Sequence, residues 1–278
     1  MANRNIIWCQ TSDASAFAKV QGKKYTHVII SALHMHCDSG NYVMYLNDTP
    51  VAQINPAFWK VVTTLRTARV TVTGLLAGAG NGTWDCIQKN PPKAMAALKV
   101  LTDAPYHLQG FDLDFETPPI YDPKLLASYT NLVAGIRPGL VITHAPIPSM
   151  LSAYDKSFWQ SAGANLAWLN VQWYGESQLV QQYSDFVTGK TSGTAVDPAK
   201  VVAGATVVAQ QGVGYTDLCQ LMTMVNAIQK KPGIGQKFGG VAGWEFTQTI
   251  GSQNPKVANW DTCIAAALQG QTKCVACP

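Results

Sequence analysis

Three carboxylates stand at every second position of one short stretch, Gln109-Gly-Phe-Asp-Leu-Asp-Phe-Glu116. They are Asp112, Asp114 and Glu116, with Phe111, Leu113 and Phe115 between them. Side chains of a strand alternate between faces. The acids therefore share one face, spaced by about 6.6 Å per step, and the apolar residues share the other. Acids crowded in this way repel one another and lose hydration, which raises and couples their pKa values. A carboxyl that still holds its proton near working pH is what general acid catalysis needs. A buried structural network or a metal site would use the same residue types, but the spacing favours catalysis.

The elements around this stretch are short apolar runs that recur along the whole chain. They are 6–9, 28–33, 70–76, 108–116, 140–143, 166–174, 201–204 and 241–244. Near-continuous apolar runs mark strands buried on both faces. Helical spacing appears between them, with apolar residues at Leu125, Leu126, Tyr129, Leu132, Val133 and Ile136 in one stretch and at Leu218, Leu221, Met222, Val225 and Ile228 in another. A third helix is expected over Asn55–Arg66, where Pro56 stands in the first turn. Eight strands with intervening helices predict an α/β fold, a single-domain (β/α)8 TIM barrel. A doubly wound open sheet is the alternative. No G-x-G-x-x-G follows the first strand, and the Gly-rich segment Gly78–Gly82 has no Walker lysine. In such a barrel the active site lies at the C-terminal ends of the strands. Glu116 ends the fourth run, just before Pro118 and Pro119. Residues 1–270 are read as the catalytic barrel and 271–278 as a short Cys-containing tail.

Composition narrows the partners. Charged residues make up only 13% of the 278 residues, and the net charge of +4 forms no cluster beyond the doublets Lys23-Lys24 and Lys230-Lys231, which argues against nucleic acid. No run reaches the roughly 18 apolar residues of a membrane span. Met1–Asn5 lacks the apolar core of a signal peptide. Seven cysteines leave at least one unpaired within the chain. Cys274 and Cys277 form a lone C-x-x-C, better read as a tail disulfide or free thiols than as zinc ligands. Cys37 and Cys86 are candidates to bridge loops, a pairing that spacing leaves open. His34 and His36 sit two apart with no third ligand in view, so no metal is expected and they read as ordinary strand-end histidines.

Several segments together resemble glycoside hydrolase family 18, the family of chitinases and some endo-β-N-acetylglucosaminidases. Residues 109–116 match its D-x-x-D-x-D-x-E signature, with Gln109 in place of the first Asp. Residues 75–80 resemble the Gly-rich end of its third strand, and Gln172-Trp173-Tyr174 the sixth-strand motif of the compact plant and fungal types. Residues 239–245 resemble its eighth strand, with Trp244 as the pocket-floor tryptophan. Leu46-Asn47-Asp48 resembles a fungal and bacterial subgroup, and Trp8-Cys9-Gln10 the first strand of plant class III chitinases. The likeness runs from about residue 5 to about residue 250.

This resemblance implies a retaining, substrate-assisted mechanism. Glu116 would be the general acid and base. Asp114 would orient the substrate's acetamido group and Tyr174 would donate to its oxygen. Asp112 is expected to share a proton with Asp114, and Gln172 and Trp244 are expected to contact substrate. The expected partner is an N-acetylglucosamine-containing polysaccharide or oligosaccharide, chitin first, and no cofactor is implied. The chitobiose core of N-glycans is the alternative substrate, and a non-hydrolytic lectin, inhibitor or storage protein the alternative class. Gln109 can hydrogen-bond but carries no charge, which opens a question about the pH optimum. Trp84, Trp173 and Tyr215 are weighed as extended subsites, with core packing the commoner role for each. A monomer is the default. Substrate logic favours secretion, although no signal peptide is visible.

Overall fold

The computed structural model describes residues 3–78, 82–116, 121–209 and 214–278. Residues 79–81 of the Gly-rich segment and the prolines at 118 and 119 lie outside the described residues. The strands are β1 (Arg4–Gln10), β2 (His27–His36), β3 (Val43–Leu46), β4 (Thr49–Pro50), β5 (Thr71–Gly78), β6 (Gly110–Phe115), β7 (Val141–His144), β8 (Trp168–Gln172), β9 (Val201–Thr206) and β10 (Gly240–Trp244).

Eight of them form a closed parallel barrel. Its order runs β1-β10-β9-β8-β7-β6-β5-β2, and the β1–β2 pairing shuts the ring. The (β/α)8 barrel is therefore the fold, and closure excludes the open doubly wound sheet. The acidic run is the fourth barrel strand. The hairpin β3–β4, which the apolar runs do not announce, adds antiparallel to β2.

Local chemistry sets the helices that space these strands. Asn55 caps Pro56–Thr67 by accepting from the Ala57 amide, and Pro56 occupies the first turn, where its missing N–H costs nothing. Asp122 caps Pro123–Ala134 through two amides, and Asp217 caps Leu218–Gln229. The helix Pro56–Thr67 lies within one residue of the expected Asn55–Arg66 at both ends.

Period-two alternation divides the barrel into two apolar layers. Outward residues such as Ile7, Phe111, Leu113 and Phe115 pack beneath the helices. A smaller cluster fills the lumen, with Ile6, Trp8, Ile29, Leu75, Ala145, Trp168, Val202 and Ala242. Asp112 and Asp114 alternate with the outward phenylalanines, so they point into the ring.

Three disulfides clamp the periphery. Cys37–Cys86 ties the end of β2 to the helix Gly82–Lys89. Cys274 and Cys277 do not pair with each other. Cys263 in the helix Trp260–Leu268 takes Cys274, and Cys219 in Leu218–Gln229 takes Cys277. The tail is thus stapled to two helices, so both cysteines are in disulfides, with partners that lie outside the tail. Cys9, buried on β1, is the unpaired seventh. Among the described residues no helix is long and apolar enough to cross a membrane.

Candidate active site

Asp112 lies deepest. It is fully buried, and both its oxygens are occupied. The Thr143 hydroxyl (2.6 Å) and the Asn170 amide (3.1 Å) donate to Oδ1, and the Trp8 indole N–H donates to Oδ2 (2.9 Å). Strand register makes this possible, since Asp112 and Thr143 are paired neighbours across β6 and β7. Asn170 is itself oriented by the Trp168 indole, which donates to its Oδ1 (2.8 Å). Burial lifts the Asp112 pKa to about 6, against the pull of the three donors from Thr143, Trp8 and Asn170.

Asp114, one step nearer the mouth, is hydrogen-bonded to Glu116. Burial first, then the charges of Glu116 and Asp112 and that shared hydrogen bond, push its carboxyl well above the ordinary range. The hydrogen bond of Asp114 thus runs toward Glu116, and among the described contacts none joins Asp114 to Asp112. Asp112 is saturated by neutral donors instead.

Gln172 ends β8 and turns its amide toward the acids. Its Nε2 lies 3.1 Å from Asp114 Oδ1, 3.1 Å from Glu116 Oε1 and 2.8 Å from the Ala145 carbonyl oxygen. Three acceptors around one atom fix which end of the amide is nitrogen. Tyr174 follows β8. Trp173 between them is buried outward against Tyr183, so Tyr174 faces the lumen side. Burial and the charges of Asp114, Glu116 and Asp112 hold its phenol far above its usual range, so it remains a donor at any working pH. The chain then turns at Gly175, whose φ of +70° and 2.4 Å approach of a would-be Cβ to Gly214 Cα both require glycine. Trp244 ends β10 and meets Trp8 edge to face, with centroids 6.0 Å apart.

Asp114, Glu116, Gln172, Tyr174 and Trp244 line one cavity of about 380 Å³ at the C-terminal ends of the strands, with Trp8, Leu75, Ala145, Ile147 and Gly214. Asp112 stands beneath it and does not line it. Five of the six residues singled out from sequence thus converge on one space, and the sixth supports it. Trp8, Thr143 and Asn170 were missed as partners of Asp112. Asn170 carried a usable signal, being a polar residue two before Gln172 in an apolar strand and so on the same face.

Gln109 lies at the foot of β6. Its side-chain oxygen accepts from the Val72 amide (3.0 Å), and its own N–H donates to the Val72 carbonyl (2.8 Å). Seven residues of strand, roughly 23 Å, separate it from Glu116. It ties β6 to β5 at the opposite end of the barrel from the cavity and takes no part in the acid cluster.

Trp84 is buried against Phe115 and Tyr129, so with Trp173 it belongs to the core. His36 stacks on Tyr45, with ring centroids 4.3 Å apart. Among the described residues no three His, Cys, Asp or Glu side chains converge as a metal would need. His144, behind the site, is fully buried between the Thr130 and Tyr154 hydroxyls (2.9 and 3.0 Å), and burial lowers its pKa to about 3.

No protein-family profile matches the chain, and no curated protein sequence does. Solved structures match it along almost all its length. A family 18 chitinase from Pseudoalteromonas aurantia superposes with a TM-score of 0.73 at 20% identity, covering 95% of this chain and 100% of that one. The fold is that of the family 18 chitinases. A chitinase from Aspergillus fumigatus gives 0.72 at 23% identity, over 96% and 99% of the two chains. The chitinase fold also carries a xylanase and amylase inhibitor protein, similar at a TM-score of 0.61 and 16% identity over 97% and 99%. At these identities the likeness is one of fold.

Proposed function

We propose that the chain is an endo-acting, retaining glycoside hydrolase that cleaves β-1,4-linked N-acetylglucosamine polymers, with chitin oligosaccharides as the substrate class. The single observation that carries the proposal is the convergence of the hydrogen-bonded pair Asp114–Glu116, the Tyr174 hydroxyl and the Trp244 ring on one cavity. That set matches the needs of substrate-assisted hydrolysis.

The reaction divides as follows. Trp244 offers an apolar face to the sugar ring. Glu116 gives its proton to the glycosidic oxygen as the C1–O bond breaks. The acetamido carbonyl oxygen of the same sugar attacks C1 from the other face and closes an oxazolinium ring. Asp114 accepts from the acetamido N–H and balances the positive charge that develops. Tyr174 donates to the acetamido oxygen and holds it in line. Glu116, now a carboxylate, takes a proton from water as water opens the ring, and two inversions leave the anomer retained. Asp112, beneath, keeps a negative charge or a proton in reserve according to pH, with its orientation fixed by Thr143, Asn170 and Trp8.

Disulfides persist in oxidising compartments, and the three found here support an exported protein acting on an external polymer. The inhibitor among the structural neighbours keeps a non-hydrolytic reading in play, but a stripped acid pair would suit that role better than an intact one. Digestion of chitohexaose, followed by mass spectrometry and anomer analysis, tests the proposal. Internal cleavage to β-anomeric products supports it. Binding without product over days would replace it with the lectin reading, and cleavage of a glycoprotein's chitobiose core alone would replace chitin as substrate.

A further inference from the structure

Gln172 was read from sequence as a substrate contact, and in the structure its amide nitrogen has protein partners of its own. Its amide nitrogen is buried and already committed to three protein acceptors. It has two hydrogens. One goes to the Ala145 carbonyl, which has the shortest contact, and the other is shared between the two carboxylates. The backbone is tied to the same place, because the Gln172 N–H donates to the Pro146 carbonyl (2.9 Å). No N–H of this side chain is left for a sugar.

We propose that Gln172 is a positioning residue whose amide clamps the carboxyls of Asp114 and Glu116 to the segment after β7. The kind of donor present sets the charge that such a pair can carry. A carboxylate pair at hydrogen-bond distance is stable with one proton and one negative charge. A Lys or Arg in this position would stabilise the doubly ionised pair and strip the proton that catalysis needs. An aliphatic residue would leave the remaining charge buried without a donor. A neutral amide satisfies the charge and leaves the proton in place.

The groups that face the pair agree with this. Asp112 acts on Asp114 from the same strand, Tyr174 faces both acids from beyond β8, Tyr154 faces the two aspartates from the connection after β7, and Tyr121 faces Glu116 from the segment after β6. None of the groups acting on Asp114 is a cation. Among the described residues Gln172 is the one side chain seen to donate to both acids.

The kinetic consequence rests on the hydrolase reading, and the titration does not. Gln172→Met keeps the length and removes the donor. The pair then holds its protons more tightly. Both limbs of the kcat/KM profile should move to higher pH by roughly one unit, the tenfold change in proton affinity that a donor to a buried carboxylate supplies. At the optimum kcat should fall about tenfold with KM within about threefold. A rise in KM with both limbs in place would overturn the clamp and restore the substrate-contact role. The second measurement is a carboxyl ¹³C NMR titration of the resting protein, with Asp114 and Glu116 assigned through Asp114→Asn and Glu116→Gln. The pair's titration should move upward in Gln172→Met, and also in Gln172→Asn, which withdraws the amide by one methylene. Unmoved titrations refute the inference even if the enzyme is active. Moved titrations in a protein that cleaves nothing uphold it while the hydrolase reading fails.

Discussion

Replacing Asp112 with Asn tests the buried acid cluster through stability. Burial lifts the Asp112 pKa to about 6, while an aspartate in the unfolded chain titrates near 3.9. Between those values the folded protein binds more protons than the unfolded one, so stability falls as pH rises through that window. A difference of about two units at 1.36 kcal/mol each amounts to about 3 kcal/mol. Asn has no such dependence. It has a cost of its own, because an amide keeps only one acceptor. If its oxygen serves Thr143 and Asn170, its NH2 faces the Trp8 indole N–H, at about 1–3 kcal/mol. That cost is the same at every pH and drops out of a comparison between two pH values. Neutralising residue 112 also removes one of the charges that raise Asp114, which acts in the same direction. Urea unfolding of both proteins at about pH 4 and about pH 7.5 measures the effect. The stability of the wild type minus that of Asp112→Asn should fall by about 2 kcal/mol from the lower pH to the higher, since at pH 4 the unfolded aspartate is already about half ionised. An equal difference at both pH values would show that Asp112 does not titrate as a buried acid, and the account of the cluster would fail with it.

Other perturbations have separate readouts. Gln109→Asp places an acid at the foot of β6, roughly 23 Å from Glu116; the pH profile should stay within about 0.2 units, since a charge at that distance is screened, and a larger displacement would reveal coupling through the strand. The Cys219–Cys277 bridge closes a 58-residue separation, for which chain entropy gives about 4 kcal/mol. The paired variant Cys219→Ser with Cys277→Ser should therefore lose about 2–4 kcal/mol in urea with kcat/KM unchanged, and a loss of activity in the folded protein would link the tail to the cavity.

The barrel was legible in the sequence because its strands are buried on both faces. All eight apolar runs became strands, each within two residues at most ends. The hairpin β3–β4 was not legible: β4 is two residues long, and its turn depends on Asn47 adopting φ of +52° while its side-chain oxygen accepts from the Ala32 amide. In the site, the alternation of Asp112, Asp114 and Glu116 with Phe111, Leu113 and Phe115 fixed the inward face correctly. It was silent on which acids would pair. That outcome depends on Thr143, Asn170 and Trp8 reaching Asp112 from three other strands, and period within one strand carries no information about register between strands. The same limit hid the contacts of Gln172 with Asp114, Glu116 and the Ala145 carbonyl, which come from other strands and the segment after β7. The fate of Cys274 and Cys277 was hidden because both partners lie on helices that only the closed ring brings near.

The claim on which the rest depends is that Glu116 delivers the proton to the leaving oxygen. Turnover of a fluorogenic chitotrioside by Glu116→Gln, with the thermal midpoint measured alongside, tests it most directly. A loss on the order of 10²- to 10⁴-fold in kcat at an unchanged midpoint is the predicted result. Wild-type turnover by that variant would contradict the account.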